Sequence, residues 1–246
     1  MNELNSLIRK CSECRLYETR TNAVCGEGHR DARIMLIAQA PGDNEDEAGT
    51  MFIGPSGEVL DKLMKKAGVD RDEIYMTNLI KCKLPDYRKP KEDEIDACSS
   101  YLDIEIEIVN PDILVPLGYY STRYLCRNYG ISFEEDFSKI TGNLLLADDR
   151  KIYPLAHPAS LLYDESFEEK MKKHYRKLKV LLKPCRWYEM CPMKRFYEKG
   201  KIERRWVELY CKGDWKSCVR YQKEKKGKYH PDSMLPNGEI KEELDG

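Results

Sequence analysis

Short, unbroken apolar runs recur along most of the chain, and between them lie longer stretches whose apolar residues fall at helical spacing. Residues 33–38 (RIMLIA) lead into Gln39, Ala40, Pro41 and Gly42, which reads as a buried strand followed by a turn. Residues 57–67 (GEVLDKLMKKA) set Leu and Met at helical intervals and stop at Gly68, a common helix end. Residues 74–77 predict a second strand, 92–109 a helix broken by Asn110 and Pro111, 112–118 (DILVPLG) a third strand, and 119–129 a helix. Residues 152–156 predict a fourth strand and 167–182 a closing amphipathic helix. Strands alternating with helices imply an α/β fold with a short central parallel sheet and helices on both faces. Ligands of such sheets bind outside the carboxyl ends of the strands, near the point where strand order reverses. Gln39 to Gly42, Asn78, Gly118 and His157 fall at those ends.

The texture changes after Lys183 and Pro184. Residues 184–230 are rich in Cys, Trp, Tyr, Lys and Arg and carry no strand signal, and 231–246 is a polar tail expected to be poorly ordered. The predicted organisation is therefore a main domain over 1–183, a cysteine-rich module over 184–230, and the tail. Charged residues make up 35% of the chain with a net of -1, yet residues 184–238 hold 14 Lys and Arg against 7 Asp and Glu. That local excess hints at phosphate contact through Arg204, Arg205, Lys212, Lys216 and Arg220, with a solvated basic face as the plainer reading. The start, MNELNSLIRK, has no apolar core of a signal peptide, and no apolar run reaches a membrane span. A cytoplasmic, monomeric protein is expected, with no membrane partner.

Ten cysteines in such a chain read as metal ligands and buried thiols, since a reducing compartment disfavours disulfides. Cys11 and Cys14 form a CxxC, with Cys82 and Cys98 far downstream, a spacing too dispersed for a zinc finger and suited to pinning distant segments together. Cys185, Cys191, Cys211 and Cys218 make a second array, C-x5-C-x19-C-x6-C, wider than the usual zinc spacing. Residues 185–218 are expected to need a metal because they cannot form a core of their own, the second site being [4Fe-4S] or zinc. Four unligated thiols are the alternative. Cys25 and Cys126 read as core residues, and GPSGEVLDK lacks the spacing of a phosphate-binding loop.

The block from Ala38 to Asp46 (AQAPGDNED), then MFIGPSG over 51–57, resembles the first motif of the iron-sulfur (family 4) uracil-DNA glycosylases. TNLIKCKLP over 77–85, RKP over 88–90, PLG over 116–118 and HPASLL over 157–162 continue the resemblance in the family's order, so that it covers about residues 8–182. It implies the three-layer uracil-DNA glycosylase fold, hydrolysis of the glycosidic bond of uracil in single- or double-stranded DNA, and a [4Fe-4S] cluster on Cys11, Cys14, Cys82 and Cys98.

Glycosidic scission puts negative charge on the departing base and positive charge on the sugar. By the same resemblance His157 donates to uracil O2, and Asn78 matches O4 and N3–H while disfavouring cytosine. Phe52 supplies a stacking face, with Ala40 beside it among the base contacts. Ser160, Leu161 and Leu162 fall where the family inserts a side chain into the gap left by the flipped base. A lone His, Asn or Phe on a loop is ordinarily a cap, turn or core residue, and it is their joint occurrence at matching positions that reverses this. Gln39 departs from the family's usual Glu: it can orient water but cannot act as a base or offset an oxocarbenium charge. Glu45 keeps the family's second acid and is expected to position water or shape the pocket. Two rivals follow: a nucleic-acid-binding protein with little glycosylase activity, and an iron-sulfur enzyme acting on a modified base, RNA being a possible substrate.

Overall fold

Ile34 to Ala38, all buried, form the strand around which the first part of the chain is organised. The computed structural model of the protein describes residues 1–133, 136–147 and 150–244. Its strands are β1 (Glu27–Gly28), β2 (Ile34–Ala38), β3 (Ile74–Asn78), β4 (Ile113–Pro116), β5 (Leu145–Ala147) and β6 (Arg150–Ile152), in the order β1-β3-β2-β4-β6-β5. β2 runs parallel to β3 from Ile34↔Ile74 to Ala38↔Asn78, and parallel to β4 from Ile34↔Ile113 to Ile37↔Pro116. Strand order reverses about β2, which puts the crevice of the fold at its carboxyl end.

Two sequence expectations are corrected. The sheet is mixed, because β1 pairs antiparallel with β3; a two-residue edge strand of Glu and Gly carries no apolar signal. The fourth strand lies over Arg150–Ile152 and stops short of 156. Tyr153 and Leu155 still donate to Leu114 O and Pro116 O at 2.8 and 2.9 Å, but Pro154 between them has no N–H to extend the ladder.

Helices α1 (Asn2–Lys10), α2 (Asp43–Ala48), α3 (Pro55–Ala67), α4 (Glu92–Val109), α5 (Tyr119–Asn128), α6 (Ser160–Tyr163) and α7 (Glu168–Leu181) accompany the sheet. α3 begins with Pro55 in its first turn and ends at Gly68 in the left-handed conformation, burying Leu60, Leu63, Met64 and Ala67. α4 buries Ile95, Cys98, Leu102, Ile106 and Val109 at helical intervals, each large apolar side chain worth roughly 1.5–3 kcal/mol on burial. None of the described helices is long and apolar enough to cross a membrane.

The chain divides into two units, Met1–Asn143 with Ala147–Tyr175, and Leu144–Leu146 with Arg176–Gly246. The boundary thus falls within α7, earlier than the composition change at 183. The second unit contains α8 (Pro192–Glu198), α9 (Arg204–Trp206), which continues as a π turn over Val207–Cys211, and α10 (Val219–Lys225). Contrary to expectation it has a core of its own, built from Tyr188, Met193, Phe196, Ile202, Val207, Cys211, Leu235 and Leu244. The last two correct the reading of the tail as poorly ordered: residues 231–244 fold back, with a bridge between Met234 and Ile240 and with Ser233 and Leu235 fully buried.

Candidate active site

Residues from three strand ends line one cavity, and a fourth strand end packs against His157. Gln39 follows β2, Asn78 ends β3, Gly118 follows β4, and His157 lies just beyond Leu155, which bridges to Leu117. Leu79 and Ile80 N–H donate to the carbonyls of Ala38 and Gln39 at 2.8 and 2.9 Å, which locks the two loops side by side. Gly118 adopts φ +90 with His157 Cβ 3.5 Å from where its own Cβ would stand, a conformation closed to other residues. The cavity measures about 250 Å³ and is lined by Gln39, Ala40, Glu45, Phe52, Asn78 and His157, with Leu162 and Tyr163 at its edge.

Phe52 is held in a left-handed backbone conformation at φ 52, unusual for a bulky residue. The surroundings over-determine it. Arg71 Nη2 donates to Met51 O and Phe52 O at 2.7 and 3.2 Å, and Met51 N–H donates to Glu27 Oε1 at 2.9 Å. A Cβ on Gly57 would stand 1.9 Å from Phe52 O, so only glycine lets α3 start there.

Glu45 completes the clamp. Its Oε2 accepts from Gly42 N–H at 3.1 Å, and its Oε1 from Ile53 and Gly54 N–H at 3.0 and 2.9 Å. A carboxylate engaged by three backbone donors anchors loops, so of the two expectations for Glu45 the geometry supports shaping of the pocket, through the Gly42 and Phe52 turns.

His157 Nδ1 accepts from Ala159 N–H at 3.2 Å, so the proton of the neutral ring sits on Nε2. Burial pushes the imidazole pKa down to about 4 against a smaller opposing pull from Glu45. At neutral pH the ring is therefore an uncharged donor. Its centroid lies 6.3 Å from that of Phe52, the two rings forming adjacent walls. Asn78 is 2% exposed, and its Nδ2 donates to Met51 Sδ at 3.1 Å, a weak bond that orients the amide. Ser160 N–H donates to His157 O at 3.0 Å, starting α6 directly after the histidine. Leu162 is 48% exposed and Leu161 half-buried, so Leu162 is the residue of this loop that faces outward. Tyr163 beside it is still more exposed, as is Tyr87, whose hydroxyl donates to Asp43 across the rim.

Cys11, Cys14, Cys82 and Cys98 line one small enclosed space in the same unit. Donors converge on the sulfurs: Arg20 Nη1 to Cys82 at 3.1 Å, Lys81 N–H to Cys98 at 3.2 Å, and the Tyr101 hydroxyl to Cys11. Such bonds stabilise thiolate, the form that ligates metal. Burial pushes the unligated thiols of Cys82 and Cys98 up, Cys98 to about 12, so ligation there would release their protons. Among the described residues no three His, Cys, Asp or Glu side chains are arranged to hold a single ion. Four thiols around an enclosed space, three of them with a donor, are a donor set suited to a metal bound through thiolates.

A buried network joins this space to the cavity. Lys81, 1% exposed, donates through Nζ to Glu105 Oε2 and Thr77 Oγ1 at 2.6 Å each and to Asn78 O at 2.8 Å. Glu105 also accepts from Thr77 Oγ1 at 2.6 Å and from Gly26 N–H at 3.2 Å. Sequence reading found the cavity-lining residues but missed those that hold them: Glu27, Met51, Arg71, Lys81 and Glu105. Met51 and the lysine preceding Cys82 lay within recognised blocks, but nothing in the chain marks their partners.

A model of the uracil DNA glycosylase superfamily matches residues 25–179. The type-4 uracil-DNA glycosylase of Sulfurisphaera tokodaii is 37% identical over 186 residues, covering 74% of this chain and 84% of that protein. The corresponding proteins of Saccharolobus solfataricus and Thermotoga maritima are 39% and 35% identical, over 71% and 68% of this chain and 83% and 86% of theirs.

Proposed function

Because the chain belongs to the uracil DNA glycosylase superfamily, we propose that it excises uracil from DNA, hydrolysing the N-glycosidic bond of a base flipped into the cavity between Phe52, Asn78 and His157. The observation that carries this reading is the neutral Nε2–H of His157 on the same cavity as the fixed amide of Asn78 and the ring of Phe52. Phe52 stacks on the base, a contact worth roughly 1–3 kcal/mol. The Asn78 amide accepts from N3–H and donates to O4, a pattern cytosine does not offer. As the glycosidic bond lengthens, charge gathers on uracil O2, and the His157 donor stabilises it without having to lose a proton. Leu162 fills the space the base leaves, offsetting part of the unstacking cost.

Gln39 orients water at the sugar through its amide, and Glu45 acts by fixing the loops on either side. Cys11, Cys14, Cys82 and Cys98 would hold a [4Fe-4S] cluster, whose contribution is to tie the segment after Asn78 to the N-terminal residues. Gln39 also favours a second reading, in which the pocket binds uracil but chemistry is slow for want of a carboxylate.

The Gln39→Glu variant tests the proposal. On uracil-containing oligonucleotides wild type releases uracil, and the variant releases it faster by about 10-fold or more, since a base at this position is worth up to 10²–10⁴. Activity only in the variant would favour the second reading, and no release by either protein would sink the first.

A further inference from the structure

In the second unit Cys185, Cys191, Cys211 and Cys218 all line one cavity of about 330 Å³. All four are free of disulfides, and Cys211 lies within electrostatic reach of the other three. Their positions are set by separate local structures: Cys191 precedes α8, Cys211 ends the π turn, and Cys218 precedes α10. Cys185 N–H donates to Cys211 O at 2.7 Å, tying the first ligand position to the third. The π turn shifts the register of its helix and so re-aims Cys211, a use of such turns that clusters at functional sites. A Cβ on Gly213 would stand 2.4 Å from Leu209 O and 2.5 Å from Glu208 O, so the chain leaves this turn only through glycine.

Two independent features mark the cavity as a seat for an anionic group bound through sulfur. Trp187 N–H donates to Cys185, and Arg220 and Tyr221 N–H donate to Cys218, directing backbone dipoles at the sulfurs. Arg220 itself is 4% exposed. Its Nη1 donates to the carbonyls of Pro231, Asp232 and Met234 at 2.9, 2.9 and 2.8 Å, and its Nε is buried with no partner among the described residues. This corrects the expectation that Arg220 contacts phosphate. A buried guanidinium with neutral acceptors only is costly, and thiolates of a metal site beside it supply the missing negative charge. Trp187 and Trp215 pack against Tyr221 with centroids 5.0 and 4.8 Å apart, forming an apolar wall of the cavity.

We infer that the second unit carries its own [4Fe-4S] cluster, ligated by Cys185, Cys191, Cys211 and Cys218 and neighboured by Arg220. The gaps of five and six residues within the array are wider than the two to four usual between paired zinc ligands, and the four thiols line a cavity of about 330 Å³. The first quartet likewise has a backbone N–H donating to a sulfur, and there a guanidinium donates to one as well. The superfamily match ends at residue 179, so membership of the family does not account for this site.

The test is metal and sulfide content of the full-length protein purified anaerobically, with iron-57 Mössbauer spectra to identify the cluster type. The inference predicts about eight iron and eight sulfide per chain, two cubane clusters of about four each. Cys191→Ser with Cys218→Ser should halve both counts, and so should Cys14→Ser with Cys82→Ser, leaving a [4Fe-4S] spectrum in each case. A wild-type count of about eight supports the inference even where a double variant fails to fold, and neither readout depends on glycosylase activity. An iron count that Cys191→Ser with Cys218→Ser leaves unchanged, or zinc that this double variant removes, would overturn the inference.

Discussion

Replacing His157 with alanine lowers the single-turnover rate of uracil release by about 10²–10³-fold, the usual cost of losing one donor aimed at developing negative charge. Substrate binding should change far less, because the bond strengthens only as charge moves onto uracil O2. The pH profile carries the same signature. With its pKa lowered from 6.5 to about 4 by burial, the folded imidazole stays neutral where a free one would take up a proton. The folded protein then binds fewer protons than the unfolded chain between those values, so stability from this group is full above pH 6.5 and is lost as pH falls toward 4. Activity should hold from neutrality down to about pH 5 and fall as Nδ1 protonates and Ala159 N–H loses its acceptor. A few-fold loss in the variant, or a wild-type acid limb centred near pH 6.5, would remove His157 from the role of neutral donor.

The second large effect is on stability. Lys81→Met leaves Glu105, which is wholly buried, without its cation, and removes the bond that Lys81 makes to Asn78 O. Breaking one side of a buried pair costs about 3–5 kcal/mol, to be read as a shift in the urea midpoint of anaerobically prepared protein. Adding Glu105→Gln should recover much of the loss, since the orphaned charge is then gone. A cost below about 1 kcal/mol for Lys81→Met would mean that Glu105 finds another partner.

β2, β3 and β4 were legible because each is a short apolar run buried on both faces, and the residues after them could be assigned to one end of the sheet by order alone. Gln39, Asn78, Phe52 and His157 do share one cavity. What holds them was not legible, because it depends on contacts between residues far apart: Glu27 on a strand with no apolar signal, Arg71 reaching two carbonyls, and Glu105 reaching Lys81 from the middle of a helix. For Glu45 the choice between positioning water and shaping the pocket was not legible, since sequence does not reveal that three N–H groups engage its carboxylate. In the tail, Met234, Leu235 and Leu244 are too few and too scattered among polar residues to make a period, yet all three are buried and Leu235 and Leu244 complete the second unit's core.

The central claim is that this cavity excises uracil, and the direct measurement is product analysis. The full-length protein, prepared anaerobically, is incubated with single- and double-stranded oligonucleotides carrying one uracil, one thymine or one cytosine. The account predicts free uracil and an abasic site from the uracil strands, with thymine and cytosine left in place. Metallated protein that releases no uracil from either strand context, or releases thymine equally well, would contradict it.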